Sequence, residues 1–327
     1  MLHEGKIKEE ENQLRKMRLG TVLIGLLSSL LVLGACASEE KVDGSKDGKI
    51  DVVTTLAQIA EPISIIGGDH VVVESLMGPG VDPHLYRATQ GDIKKLKDSD
   101  IVFYSGLNLE GNMTEAFEKI GSKKPVRGIA ESIPTEKLLE DATGAIDPHV
   151  WFDIELWKIA LEAATEELTK FAPEYADEFE ANKESYFNEL DALLAESKEL
   201  LTQIPEDKRV LVTAHDAFGY FGRAYNIKVV GLQGLSTEDE LGITDIDDTI
   251  SILMDYKIPA VFVESSINQN SIKALIEGAG KKGLDVNLGG ELFSDAMGDA
   301  GTEQGTYIGM YKHNVNTIHK ALLGEGN

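Results

Sequence analysis

Residues 174–204 constrain the fold more than any other part of the chain, because they have the pattern of one long helix. Apolar side chains recur along this segment at intervals of three, four or seven, which places them on one helical face. They are Phe179, Tyr186, Leu190, Leu193, Leu194, Leu200, Leu201 and Ile204. Pro173 interrupts the pattern before the segment and Pro205 ends it. At 1.5 Å per residue such a helix is about 45 Å long, enough to connect two lobes.

Strand and helix patterns alternate on both sides of this segment, as expected of parallel sheets covered by helices. Before it, strands are predicted at residues 51–56, 70–76 and 100–104, and helices at 58–66 and 92–97. After it, strands are predicted at 209–213, 227–231, 260–264 and 284–288, separated by helices, with a final helix at 307–323.

The sequence therefore predicts an α/β fold with two lobes, each a mainly parallel sheet flanked by helices, joined by one long rigid helix. A length of 327 residues also exceeds one ordinary hydrophobic core. We expect an N-terminal lobe at residues 50–173, the linking helix at 174–204 and a C-terminal lobe at 205–327.

The N-terminus has the composition of a secretory signal. Arg15, Lys16 and Arg18 precede an uncharged apolar run at residues 19–33, shorter than the about 20 residues that a membrane-spanning helix needs. The run leads into Leu33-Gly34-Ala35-Cys36, which resembles the lipobox of bacterial lipoproteins, and Cys36 is the only cysteine. We expect residues 1–35 to be a signal peptide, with translation starting at Met1 or Met17. Cys36 is then the lipidation site and residues 36–49 a flexible tether.

The charge balance excludes some partners. With 56 acidic and 31 basic residues, the chain has a formal net charge of −25. Nucleic acids and anionic lipid surfaces require basic patches, so neither is an expected partner, and contact with the membrane is expected through the lipid anchor alone. An acidic chain is compatible with a cationic ligand.

Three histidines occur in comparable surroundings. His84 and His149 each end an Asp-Pro-His tripeptide, and His215 directly follows a predicted strand. Proline stiffens each of the two loops, which suits a metal ligand that must hold a fixed position. The intervals of 65 and 66 residues exceed those of short zinc motifs, so any site is assembled by the fold. A loop histidine by itself is usually only solvated, and His3, His70, His313 and His319 are not predicted to be ligands.

Carboxylates beside these histidines are candidates for orienting the imidazole rings. Asp82 and Asp147, each two residues before a histidine, can accept a hydrogen bond from a ring and fix its tautomer. Asp216 and Glu264 are further candidates for this supporting role. Ligand imidazoles must be neutral to bind a metal, so ordinary histidines predict an affinity that falls as the pH drops through about 6.

Several motifs together resemble the metal-specific substrate-binding lipoproteins of ABC importers, the manganese/zinc class. They span nearly the whole chain after the signal and occur in order: the lipobox, the two Asp-Pro-His loops, Trp151-Phe152-Asp153, Thr213-Ala214-His215-Asp216-Ala217-Phe218-Gly219-Tyr220, Phe262-Val263-Glu264-Ser265-Ser266 and Gly290-Glu291-Leu292-Phe293-Ser294-Asp295. The resemblance implies two α/β lobes joined by a rigid helix, with the metal in the cleft between them. It implies His84 and His149 as N-lobe ligands, and His215 and Asp295 as C-lobe ligands. The residues around Asp295 alone indicate only a helix cap or a turn.

The resemblance also implies a cargo, partners and a location. Three imidazoles and a carboxylate suit zinc, and they serve manganese if the carboxylate binds through both oxygens or water completes the shell. Some manganese-specific members carry Glu where this chain has His215, whereas zinc members often have a histidine-rich insertion that residues 131–146 lack. We favour Mn²⁺ over Zn²⁺. The expected partners are an ABC permease and its ATPase, and the chain is expected to be a monomer at the extracytoplasmic face of a bacterial membrane.

Two other function classes compete with metal capture. A metallohydrolase can use the same ligand types, but a catalytic zinc keeps one position open for water, and four protein ligands leave little room for it. A surface adhesin is the third class, and no segment of the sequence indicates a dedicated adhesive surface. We therefore expect the chain not to be an enzyme.

Overall fold

A computed structural model of the protein describes residues 48–238 and 242–324, except for the side chain of Ile243. The predicted signal peptide, Cys36 and most of the predicted tether lie outside the described residues. No helix in the described part of the chain is both long and apolar enough to cross a membrane.

The N-terminal half contains a four-stranded parallel sheet of order β2-β1-β3-β4. Its strands are β1 (Ile50–Thr54), β2 (Val71–Ser75), β3 (Ile101–Tyr104) and β4 (Val126–Gly128). The helices of this half are α1 (Ala57–Gly67), α2 (Gln90–Asp98) and α3 (Thr114–Gly121). A capping box begins α2, in which Thr89 accepts from the backbone of Asp92 and Asp92 accepts from that of Thr89.

The sequence pattern predicts neither α3 nor β4. The strand has only three residues, and the helix has eight, so each is too short for a clear periodic signal.

The structure confirms the long helix that the sequence predicts. It follows α4 (Ile154–Phe171) and a short 3₁₀ helix (Pro173–Tyr175), and it runs as α5 from Ala176 to Leu201. Most of the predicted apolar face is buried, although Leu200 is only partly so. This helix packs against α1 and α4, which precede it, and against the last helix, α9 (Tyr307–Leu323). It therefore contacts elements from both halves of the chain.

The C-terminal half repeats the parallel arrangement with two strand pairs. The strands are β5 (Val210–His215) with β6 (Lys228–Gln233), and β7 (Ala260–Glu264) with β8 (Asn287–Leu292). Strands β5 and β7 lie side by side. The flanking helices, besides α9, are α6 (Gly219–Tyr225), α7 (Ile243–Tyr256) and α8 (Asn270–Lys281). The predicted fold class is therefore confirmed.

The last strand differs from its predicted position. Residues 284–288 are predicted as a strand, but Leu284 donates its N–H to Ala279 in the turn that ends α8, and β8 begins only at Asn287. The true strand includes Gly289 and Gly290, which weaken its sequence signal. Glycine is needed at 289, since a Cβ there would lie 2.7 Å from the ring of Phe262.

Candidate metal centre

The carboxyl ends of the C-terminal strands carry three of the relevant side chains. His215 is the last residue of β5, Glu264 is the last residue of β7, and Asp295 follows the end of β8 by three residues. His84 lies in the loop after β2, and His149 directly precedes a 3₁₀ helix at Val150–Phe152. The edge beyond parallel strands is where open α/β sheets place ligands.

The fold brings His84, His149, His215 and Asp295 into one cluster. Each offers a donor atom, and these atoms all lie within 4.8 Å of one another. Asp295 Oδ1 is 3.4 Å from His149 Nε2, while Asp295 Oδ2 is 3.3 Å from His215 Nε2 and 3.7 Å from His84 Nε2. The Nε2 atoms of His84 and His149 are 3.3 Å apart. Four residues that are far apart in sequence thus point their donor atoms at one small volume.

The cluster is buried and incompletely hydrogen-bonded. His84 is 5% exposed, and the other three residues are 0% or 1% exposed. Among the described residues, no hydrogen-bond partner is found for either carboxylate oxygen of Asp295 or for His215 Nε2. A buried polar atom without a partner costs free energy, and a buried carboxylate costs more. The four residues therefore form a buried group that could hold a metal ion.

Two carboxylates orient two of the rings from behind. Asp147 Oδ1 is 2.8 Å from His149 Nδ1 and also accepts the backbone N–H of His149. Glu264 Oε1 accepts the backbone N–H of His215, and its Oε2 lies 2.6 Å from His215 Nδ1, an ion-pair distance outside hydrogen-bond geometry. Both contacts leave Nε2 facing the cluster, so Nε2 is the atom that each ring could offer to a metal.

The other two supporting carboxylates act differently from the expected ring contact. Asp82 accepts the backbone N–H groups of His84 and Leu85, so it shapes the loop and does not hold the imidazole. Its second oxygen accepts a hydrogen bond of 2.6 Å from Thr237. Burial, followed by the nearby charge of Asp147, raises the pKa of Asp216, and the charges of His149 and His215 oppose this rise.

The electrostatics divide the histidines into two kinds. Burial lowers the pKa of His84 to about 4, and although Asp295 opposes this, the charges of His149 and His215 add to it. Burial also disfavours charge on His149, but contacts with Asp147 and Asp295 outweigh it and raise the pKa to about 9. At His215, Glu264 and Asp295 outweigh burial in the same way and raise the pKa well above its usual range.

Asp295 is the anion around which this charge is arranged. Burial alone would raise its pKa, but His215 and His149 hold the pKa well below the usual range. The raised pKa values of His149 and His215 favour protons on both rings, and the positive charge of those protons would offset the charge of Asp295. A divalent cation would replace those protons.

Comparison with known proteins places the chain in a family. The sequence model described as ZnuA, the periplasmic component A of a zinc-uptake complex, matches residues 52–321. The chain belongs to this family. The resemblance inferred from the motifs is therefore confirmed.

Three members of the ZnuA family illustrate its range of described metals. The manganese-binding lipoprotein MntA of Bacillus subtilis (strain 168) is 48% identical over 307 residues, covering 94% of this chain and 100% of that protein. The zinc-binding protein TroA of Treponema pallidum (strain Nichols) is 44% identical over 301 residues, covering 91% and 98%. The manganese ABC transporter substrate-binding lipoprotein PsaA of Streptococcus mitis is 30% identical over 312 residues, covering 93% and 99%.

A solved structure of the ZnuA family agrees in fold. The periplasmic zinc-binding protein TroA from Treponema pallidum superimposes with a TM-score of 0.83 at 45% identity, covering 84% of this chain and 99% of that chain.

The other histidines among the described residues have other contacts. His70 stacks on Tyr175 with ring centroids 3.7 Å apart and pairs with Glu178, while His313 contacts the carbonyl of Glu291. His319 contacts Gln203.

Sequence reasoning missed Trp151 as a neighbour of the cluster: its indole N–H donates to the carbonyl of Ser294, directly before Asp295.

Removing the charge behind His215 tests the orienting role of Glu264. We expect Glu264→Gln to weaken metal binding by about 10- to 100-fold, the usual effect of losing a carboxylate that supports a ligand histidine. Glutamine keeps the shape and can still accept the backbone N–H of His215, but it no longer makes the ring a stronger donor. Titration calorimetry measures the change, and Glu291→Gln, at an exposed position in β8, is the matched control. Equal affinities for the Glu264→Gln chain and the unchanged chain would rule out the orienting role.

Proposed function

We propose that this protein captures a divalent transition-metal ion with His84, His149, His215 and Asp295 and delivers it to an ABC importer. The observation that carries the proposal is the buried carboxylate of Asp295, whose two oxygens face three imidazole nitrogens at 3.3–3.7 Å without a hydrogen-bond partner among the described residues. A cation satisfies the carboxylate and the imidazoles together.

The same geometry favours capture over catalysis. A catalytic zinc keeps a coordination position open for water and has a general base nearby. Here four protein side chains surround the volume, and both carboxylates behind the rings already support His149 and His215. Of the four ligands, His84 lines a cavity of about 600 Å³, which offers the ion a route from solvent.

We propose manganese as the cargo and zinc as its main competitor. Both oxygens of Asp295 face the cluster, so the site offers five donor atoms, more than the four that zinc usually takes in protein sites. The intrinsic affinity order nevertheless favours zinc over manganese, so zinc should displace manganese in a test tube. Selection of manganese in the cell would then depend on metal availability.

The setting we propose follows from the N-terminal motif and the family. Lipidation at Cys36 would hold the chain at the extracytoplasmic face of the membrane, and residues 36–49 would let it reach a permease and its ATPase. MntA and PsaA are both named as lipoproteins, and the name of PsaA includes an ABC transporter, which supports this assignment. We propose a monomer, because one chain supplies all four ligands.

Metal uptake by cells tests the proposed function. In a strain that lacks the gene, we expect the unchanged chain to restore uptake of radioactive manganese and an Asp295→Asn chain to restore less of it. A Cys36→Ser chain should be released from the membrane and should support less uptake. Full uptake with Asp295→Asn, at matched protein levels, would contradict the proposal.

A further inference from the structure

The segment of residues 147–153, which carries His149, precedes the long helix in sequence but is bonded to residues that follow it. Tyr220 donates its hydroxyl to the carbonyl of Asp147 at 2.9 Å. Two further carbonyls of the segment accept hydrogen bonds from the last helix: Tyr307 donates to Trp151 at 2.6 Å, and Tyr311 donates to Phe152 at 2.9 Å. Three tyrosine hydroxyls of the C-terminal half therefore hold this segment.

Side chains of the segment make further contacts with the same half. The indole N–H of Trp151 donates to the carbonyl of Ser294 at 3.1 Å, and the Phe152 ring stacks on Phe218 with centroids 4.4 Å apart. Asp153 pairs with Arg223 at 3.0 Å. Trp151 also packs its ring edge-on against His149, with centroids 5.4 Å apart. Trp151 thus touches one ligand and the carbonyl directly before another.

The contacts of Trp151 and Phe152 are buried, which makes them costly to break. Trp151 and Phe152 are fully buried, as are the rings of Tyr220 and Tyr307. A buried carbonyl that loses its donor stays unsatisfied unless water enters, so the segment has little freedom to leave the C-terminal half.

His84 is held in another way. Its carbonyl accepts from Asn112, a residue of the N-terminal half, at 2.8 Å. Two hydrogen bonds lead from its surroundings to the C-terminal half: Thr237 to Asp82 at 2.6 Å, and Asn112 to Glu238 at 3.1 Å. Asn112 and Glu238 are exposed and the other pair is half-buried, so water can replace both bonds.

We infer that Trp151, Tyr220, Tyr307 and Tyr311 are positioning residues that keep His149 with His215 and Asp295, so that His84 is the ligand that leaves when the metal is released. This inference rests on the proposed function, because it concerns the order in which the same four ligands engage the ion. The inference groups His149, His215 and Asp295 with the C-terminal half and leaves only His84 with the N-terminal half. Sequence position relative to the long helix would instead place two ligands in each half.

Spin-label distances measure this division directly. Cys36→Ser removes the only native cysteine, and cysteines are then introduced in pairs at exposed sites. Leu85 reports the His84 loop, Glu155 in the first turn of α4 reports the His149 segment, and Ala274 in α8 is the common reference. We expect Zn²⁺, which is diamagnetic, to shorten the 85–274 distance and leave the 155–274 distance unchanged. Equal shifts in both distances, or no shift in either, would overturn the inference.

Two further measurements separate this inference from the proposed function. Calorimetry on the same labelled chains reports whether Zn²⁺ binds, and an absence of binding would contradict metal capture itself. Independently, Tyr220→Phe combined with Tyr307→Phe removes two hydroxyls and keeps the rings, so the 155–274 distance distribution should broaden in the metal-free chain. Tyr256→Phe, an exposed tyrosine of α7, is the control. A distribution as narrow as the control's would show that the hydroxyls do not hold the segment.

Discussion

Replacing Asp295 by alanine is expected to weaken metal binding by about 100- to 1,000-fold. Four-ligand structural zinc sites contribute about 10–16 kcal/mol of apparent binding free energy, so one ligand accounts for about 2.5–4 kcal/mol. Asp295 is the only anion among the four proposed ligands, and both of its oxygens face the imidazoles. Titration with Mn²⁺ and Zn²⁺ under identical buffer conditions measures the loss.

Matched variants separate the lost ligand from a damaged fold. Asp299→Ala removes a nearby exposed carboxylate and should leave the affinity unchanged. Asp295→Asn keeps the shape and one oxygen donor, so its affinity should fall between those of the alanine variant and the unchanged chain. His149→Ala should also lose binding, because it removes a fully buried ligand. Near-normal affinity in Asp295→Ala, with thermal unfolding like that of the unchanged chain, would remove Asp295 from the site.

Metal binding at pH 7 is expected to release at least one proton, and the affinity should keep rising up to about pH 9. The pKa of His149 is raised to about 9 and that of His215 lies well above its usual range, so both rings are protonated at pH 7 without metal. A protonated imidazole cannot bind the ion, so each displaced proton makes the affinity about tenfold weaker per pH unit of acidification. The pKa of His84 is about 4, so that ring is already neutral and releases no proton at pH 7.

Calorimetry in buffers of different ionisation enthalpy counts the released protons. The structure moves the expected pH window upward from the value of about 6 that ordinary histidines predict. Asp147→Asn should lower the pKa of His149 by removing its nearest carboxylate, and it should reduce the number of protons released at pH 7. Binding without proton release at pH 7 would contradict this prediction, because it would mean that His149 and His215 are already neutral before the metal binds.

The regular elements were predictable where they are long or strongly patterned. The 26-residue helix α5 has an unbroken apolar face, and β7 and α9 occupy their predicted residues. Elements with weak local preferences were missed or shifted. The three-residue β4 depends on pairing with β3, and β8 contains two glycines whose positions are set by Phe262 and other tertiary neighbours.

The site was predictable only in part for the same reason. His84 and His149 are marked by the Asp-Pro-His tripeptides and His215 by the end of a strand, all of which are local signals. Asp295 follows the end of β8, but the shifted strand prediction hid that position. Hydrogen bonds from Tyr220, Tyr307 and Tyr311 to the His149 segment join residues 73 to 159 positions apart, and no local pattern encodes such contacts.

Metal content measured on purified protein tests the central claim most directly. The chain without its first 36 residues is purified without added metal, analysed for its elements, and then titrated with manganese and zinc in competition. We predict that the unchanged protein binds one divalent ion per chain and that the Asp295→Ala chain loses it. We also predict that zinc displaces bound manganese more readily than manganese displaces bound zinc. A chain that binds neither metal, or one whose stoichiometry is the same in Asp295→Ala, would contradict capture by the four-residue cluster.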